Sequence, residues 1–410
     1  MKKLILLMLV GIVGNVSAQE WKVKVAAGKY DRHNTMVSVD RPAAMGERVV
    51  WHLTIPGQAG EIQVQDEGKR LYWQLPDHLP KNTEQQYLLK AAPLLSTKRV
   101  STTMNVIQSD TALLITDHKR PLLQYYTAVA EPPTGTDTVY RKSGFIHPLW
   151  APNGAVLTNI FPNAGHRHHM GIWNPWTHTM FEGKETDFWN VQKKEGKVFY
   201  AGLERSYSGA LMAGFTVMQD HIAFPAPGVS KLAIKERLAI RAYVSTDNNS
   251  KQIWDMESEL RAMSDSGITM LQYRYGGGLG LRTTPYFTDK TSRVLTSEGK
   301  TRRDADSTRA RWVMVTGNTP VGMAGLLIMN GPENYDSPES LRVWPEGNAE
   351  GGELMLNFSP TKNKAWQLLH GHAYTLKYRI MVYSGELTAS EAEAAWVDYV
   401  YPPLVSTVRQ

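Results

Sequence analysis

The chain has 410 residues, a formal net charge of +6 and no cysteine. The missing cysteine excludes disulfides, thiolate nucleophiles, thiolate metal sites and a lipidated N-terminal cysteine. The length suggests one large domain or two smaller ones, and the mild basicity allows an anionic substrate without demanding one.

Residues 1–18 read as an export signal. Lys2 and Lys3 precede an apolar run, Leu4 to Val13, which is too short to span a bilayer, and Asn15-Val16-Ser17-Ala18 offers small residues at the cleavage positions. Cleavage before Gln19 removes both lysines and lowers the charge from +6 to +4. No later stretch approaches the ~20 apolar residues of a spanning helix. The expected location is therefore outside the cytoplasm, periplasmic or secreted.

Strands dominate the rest. Trp21 to Val25 and Glu61 to Gln65 alternate between apolar and polar residues, Leu71 to Leu75 ends before Pro76, and Ala112 to Thr116 ends at an Asp-His turn. Further strands are expected over Leu122–Val129, Val198–Tyr207, Leu232–Val244, Gln252–Ala262, Thr269–Tyr275, Arg311–Val315, Val321–Met329, Gly352–Phe358 and Ala373–Ser384. One helix is expected, Ala389 to Val400, opened by a Thr388/Glu391 capping box and stopped by Pro402-Pro403. The pattern is all-β, a sandwich or closed sheet system. A boundary near residues 105–120 divides an N-terminal β segment, 19–110, from a large β domain, 111–405.

The densest chemistry is Gly165-His166-Arg167-His168-His169-Met170-Gly171-Ile172-Trp173, with three of the twelve histidines in four positions. Imidazoles trade protons near neutral pH and are common metal ligands. If residues 166–169 are extended, His166 and His168 share one face, and Arg167 and His169 the other. Proton transfer is the leading role, and a divalent metal on His166 and His168 is the reserve, since no third ligand is evident in the sequence. Thr186-Asp187-Phe188-Trp189-Asn190 carries the amide, carboxylate and indole groups that recognise sugars. Tyr273-Arg274-Tyr275-Gly276-Gly277-Gly278-Leu279-Gly280-Leu281-Arg282 is not a dinucleotide loop, because no helix pattern follows its glycines. Its arginines suit a carboxylate or sulfate. Glu298-Gly299-Lys300-Thr301-Arg302 lacks the upstream glycine of a phosphate loop (Val294 stands there) and reads as a charged wall. Arg342-Val343-Trp344-Pro345-Glu346-Gly347 is an abrupt loop of the kind that gathers functional residues. No Gly-x-Ser-x-Gly elbow points to a serine hydrolase, and no basic run interleaved with aromatics points to nucleic acid.

Together and in this order, these motifs, with Asn357-Phe358-Ser359-Pro360-Thr361-Lys362 and the Ala-Glu-Ala-Ala-Trp helix, resemble a bacterial family of unknown function labelled "methane oxygenase PmoA". The resemblance runs from about Ser143 to Pro403. The label itself is at odds with a chain that has no spanning segment after its signal. The resemblance implies a galactose-mutarotase-type β-supersandwich and a carbohydrate-active protein, although a fold does not fix a reaction.

The expected activity is that of a lyase, dehydratase or epimerase on an acidic or keto-sugar oligosaccharide, abstracting a proton next to a carbonyl or carboxylate. His166, His168 and His169 supply base and acid, with Tyr273 and Glu298 as further catalytic candidates. Arg167, Arg274, Arg282, Lys300 and Arg302 hold the anionic group. Trp173, Trp189 and Trp344 stack on sugar rings, and Asn190 and Glu346 bind hydroxyls. The alternatives are a glycoside hydrolase using Glu298 and Glu346 as its carboxylate pair, and a sugar-binding protein without catalysis.

Overall fold

The structure is a computed structural model that describes residues 19–43, 49–75, 78–93, 102–162, 165–174, 176–245, 249–348 and 352–410. The expected export signal, residues 1–18, lies outside the described residues. Two compact units form, one of residues 1–99 with 403–410 and the other of residues 100–402. The expected break, between residues 110 and 111, lies some ten residues later, and the expected large domain ended at 405, inside the tail that joins the first unit.

In the first unit the strand Gln19–Ala26 buries Trp21, Val23 and Val25 and exposes Lys22 and Lys24, the alternation of a strand covered on one face. It is flanked by Glu84–Pro93 on one side and by the tail strand Leu404–Arg409 on the other. Val49–Thr54 completes this four-stranded antiparallel sheet. A three-stranded sheet of Met36–Asp40, Arg70–Gln74 and Gln65–Asp66 shares its core through Val37, Leu71 and Trp73. The strand expected at Glu61–Gln65 does not form. Ile62 makes a single bridge to Leu53, and pairing resumes only at Gln65.

The second unit holds two eight-stranded antiparallel sheets among its described residues. One runs Ser340–Val343, Met355–Ser359, Gly280–Arg282, Ile172–Trp173, Ile146–Leu149, Arg120–Tyr126, Ala112–Asp117, Met104–Gln108. The other is built on the long strands Met212–Ala226, Val229–Tyr243 and Lys251–Ala262. Leu113, Leu281 and Phe358 from the first sheet join Val217, Ile240 and Trp254 from the second in one apolar cluster, so the sheets face each other across a common core. The expected all-β supersandwich is observed. Among the described residues the one α-helix is Ala389–Val400, with both hydrogen bonds of the Thr388/Glu391 capping box in place. Among the described residues no helix is long and apolar enough to cross a membrane.

Candidate functional site

The histidine segment is a turn and not the extended strand that the alternation argument assumed. The His169 amide donates to the His166 carbonyl at 3.0 Å, which folds the segment back on itself. The turn stacks the His166 and His169 rings at 5.0 Å and 11°, and sets His168 edge-on to His169 at 4.4 Å. All three imidazoles therefore converge, with one nitrogen of each within 4.8 Å of the others. Arg167 leaves in another direction and donates to the Thr136 hydroxyl. Gly171 ends the turn at φ +60°, where a β-carbon would strike the Ile146 carbonyl, so only glycine lets the chain enter the strand Ile172–Trp173.

An aromatic bed supports the turn. Trp344 lies 5.1 Å from the His166 ring and 5.6 Å from His169, and Trp173 and Trp189 contact His169 at 5.3 and 5.7 Å. The Trp189 indole N–H donates to His169 Nε2 at 3.1 Å. Trp189 is itself fixed by Asp187. That carboxylate accepts the Trp189 and Asn190 amides at 2.9 and 2.8 Å, the Asn190 side chain at 2.8 Å and the Thr177 hydroxyl at 3.0 Å, and it pairs with Lys193 at 2.9 Å. Burial alone would raise its pKa, but these donors hold it below the usual carboxylate value.

The other wall is the 273–278 loop. The strand expected over Thr269–Tyr275 stops at Met270, and the chain continues as a loop held from outside. Asn357 donates through its side-chain amide to the carbonyls of Tyr275 and Gly277, Thr361 to that of Gly276, and the Lys362 ammonium to that of Arg274. Gly276, Gly277 and Gly278 all adopt positive φ, and a β-carbon on Gly277 would enter the Trp176 ring. The three glycines thus make a tight corner that presents Tyr273, Arg274 and Tyr275. These three, with the histidines, Thr177, Trp189 and Asn190, line a cavity of about 80 Å³.

The histidines are neutral at physiological pH. Burial pushes His168 down to about 3 and His169 well below the imidazole value, and neighbouring histidines and cations add to it. Partial burial, followed by the charges of Arg282, Arg274 and Arg342, lowers His166 as well. His166 is the exposed member of the three.

The remaining predicted site residues divide. Trp173, Trp189 and Trp344 are 3%, 3% and 2% exposed, so they are the floor under the histidines and offer no free face to a sugar ring. Besides the histidines, the aromatic residues that line the cavity are Tyr273, Tyr275 and Trp189. Arg282 is buried in an ion pair with Glu353, its guanidinium 5.2 Å from the Trp344 ring, and acts on the site through its charge. Arg302 is also buried. It donates to the carbonyls of Trp344, Gly352 and Glu353 and pairs with Asp289, so it shapes the loop and does not hold a ligand. Lys300 pairs with Asp304 on an exposed turn. Glu298 and Glu346 stand apart from the cavity lining, ion-paired to Arg311 and Arg303. Arg274 lines the cavity and, among the described residues, has no ion-pair partner. His168, with its pKa near 3, is no proton donor at neutral pH.

The structure supplies the third nitrogen that the sequence left open, since His169 joins His166 and His168 in a group whose ligand atoms lie close enough to hold a metal ion, while the Nε2 lone pair of His169 is engaged by the Trp189 indole. Sequence reasoning missed Thr177, Arg342 and Lys142. Arg342 pairs with Asp306 and lies 5.0 Å from the Tyr275 ring, and Lys142 is buried with its ammonium 5.2 Å from the Trp173 ring. Burial, followed by the charge of Lys197, lowers Lys142 to about 7. Arg342 stood inside a recognised motif but was passed over for its neighbours, while Thr177 and Lys142 carry no local signal.

Among curated proteins nothing matches. A solved structure, "a putative mutarotase (YeaD) from Salmonella typhimurium", is similar over 70% of this chain and 96% of its own, at 11% identity and a TM-score of 0.33. That likeness is too slight to carry an argument. A family of unknown function, DUF6807, matches residues 112–397, which include every wall of the histidine cavity, and the match brings no methane-oxygenase assignment. With more than half of its length matched, the chain belongs to the DUF6807 family.

Proposed function

We propose that the protein is an exported carbohydrate-active enzyme that removes a proton next to a carbonyl or carboxylate of an acidic or keto-sugar, leading to elimination or epimerisation. The observation that carries this reading is the environment of His166: a neutral, solvent-reachable imidazole surrounded by the charges of Arg274, Arg282 and Arg342. A neutral imidazole is a base, and cations around it stabilise the enolate that its action creates. His166 takes the proton, and the C–H electron pair moves onto the carbonyl or carboxylate oxygen. For elimination, that pair returns to form the double bond as the neighbouring C–O bond breaks, and the Tyr273 hydroxyl gives its proton to the departing oxygen. Transfer of the proton from His166 back to Tyr273 through water restores both groups. For epimerisation, the carbon is reprotonated on its other face.

The cavity's size supports a division of the substrate. About 80 Å³ is well below the roughly 300–1,000 Å³ of pockets that enclose a drug-sized ligand. It accommodates the reacting end of one sugar, with the rest of an oligosaccharide lying outside against Tyr273, Tyr275 and Arg274. Nothing at the site favours a hydrolase, since Glu298 and Glu346 are each occupied in ion pairs away from the cavity.

The test is a screen of uronate-containing and keto-sugar glycosides read by mass spectrometry for unsaturated products and by proton NMR for epimers, which have the mass of the substrate. Elimination conserves total mass and yields an unsaturated fragment lighter than the hydrolysis product by the mass of one water. An unsaturated or epimerised product supports the proposal. Products that have gained water throughout, or saturable binding of the same sugars with no turnover, refute it.

A further inference from the structure

The three histidines are not equivalent, and the geometry points to a separate task for the most buried one. An indole N–H can only donate, so the His169 Nε2 that faces it at 3.1 Å must carry a lone pair. A neutral imidazole has one N–H, which then resides on Nδ1. His169 is 1% exposed, its ring lines the cavity, and Nδ1 finds no hydrogen-bond partner in the protein. A buried donor left permanently unpaired costs roughly 1–3 kcal/mol, so an unpaired donor in a cavity wall marks the place of a ligand acceptor. The cavity lining adds the Arg274 guanidinium, a further donor with no ion-pair partner among the described residues. What complements an Nδ1–H beside an arginine is an oxygen acceptor.

We infer that Trp189 locks His169 as the Nδ1–H tautomer, and that this uncharged N–H donates to the carboxylate or enolate oxygen of the substrate while His166 serves as base. This role rests on the proposed proton-abstraction reading, but the tautomer itself does not. A neutral imidazole donor avoids the cost of a buried charge, and its N–H strengthens its bond as negative charge develops on oxygen. Trp189 is thus a positioning residue: through its indole N–H it decides whether His169 presents a proton or a lone pair. In the opposite tautomer, Nδ1 would aim its lone pair at the substrate oxygen and repel it. The same lock removes His169 as a ligand for a cation.

Long-range ¹H–¹⁵N correlation spectra of the resting full-length protein read the tautomer directly, with His169→Gln identifying the resonances. The expected result is a protonated-type Nδ1 and an unprotonated-type Nε2, unchanged across neutral pH and unaffected by added zinc. In Trp189→Phe, His169 should move to a mixture of tautomers, and calorimetric binding of glucuronate should weaken at least about tenfold, a difference of about 1.4 kcal/mol. A proton on Nε2 in the wild type, a zinc-induced shift of Nδ1, or an unchanged tautomer in Trp189→Phe would overturn the inference. Because the wild-type spectrum needs neither turnover nor the variant's folding, it stands apart from the fate of the proposed reaction. A correct tautomer with no product formed would sink the reaction alone.

Discussion

His166→Ala should lower kcat/KM on the responsive sugar by about 10²- to 10⁴-fold, the usual range for loss of a general base, while leaving the thermal unfolding midpoint nearly unchanged. The second half follows from exposure, because the ring lies over the Trp344 and His169 rings but fills no core space. The pH dependence carries a sign that can be checked. His166 acts when unprotonated, and burial with three nearby arginines lowers its pKa below the ordinary 6.5. The wild-type rate should therefore be flat through neutral pH on this limb. It should fall only as the pH drops through a value below 6.5, and the fall should vanish in the residual activity of His166→Ala. Removing positive charge by Arg274→Gln should move that limb upward, toward the ordinary imidazole value. A limb that stays put would show that the arginine does not act on the base.

Asp187→Ala is the substitution expected to cost most stability. The carboxylate is 1% exposed and gathers two backbone amides, the Asn190 amide, the Thr177 hydroxyl and the Lys193 ammonium. Its removal leaves those donors unpaired where several have no water to turn to, at a cost of about 3 kcal/mol or more. Denaturant unfolding at neutral pH should show this as a lower midpoint with the slope retained. The linkage has a definite direction as well. The folded-state pKa lies below the ordinary aspartate value of 3.8, so the contribution is complete above 3.8 and disappears as the pH falls through the depressed folded value. The difference between wild type and Asp187→Ala should therefore be constant from neutral pH down to about 5 and narrow below 3.8. Equal stabilities at neutral pH would show that the network around Trp189 is not what fixes this wall.

The sheets were legible in the sequence because their chemistry is local. Gln252 to Ala262 and Ala373 to Ser384 alternate over more than ten residues, and the structure has strands at Lys251–Ala262 and Tyr374–Ser384. The helix was legible to the residue, since its start is a side-chain reaction with its own backbone. Tyr273 to Tyr275 shows where such reasoning fails. The residues have strand propensity, but their backbone is held by Asn357, Thr361 and Lys362, some 85 positions later, and no window of sequence contains that partner. The histidine cluster was visible as composition, yet its geometry was not: the turn is dictated by Gly171 against Ile146 and by the aromatic bed. The tryptophans misled for a related reason. An indole suits a sugar face and a core equally well, and only packing shows that Trp173, Trp189 and Trp344 lie beneath the site. Charged residues misled in the same manner. Arg302 and Arg282 stand beside glycines and threonines as a binding arginine would, but their partners are backbone carbonyls and Glu353.

The central claim is that His166 removes a carbon-bound proton, and hydrogen exchange into the substrate tests it most directly. Wild-type protein and His166→Ala are incubated in D₂O with the sugar found in the screen, and the recovered substrate and product are read by mass spectrometry and proton NMR. The account predicts deuterium at the carbon next to the carbonyl or carboxylate with the wild type, and none above background with His166→Ala. An epimerised product formed by the wild type without deuterium at that carbon, or equal incorporation by the two proteins, would contradict it.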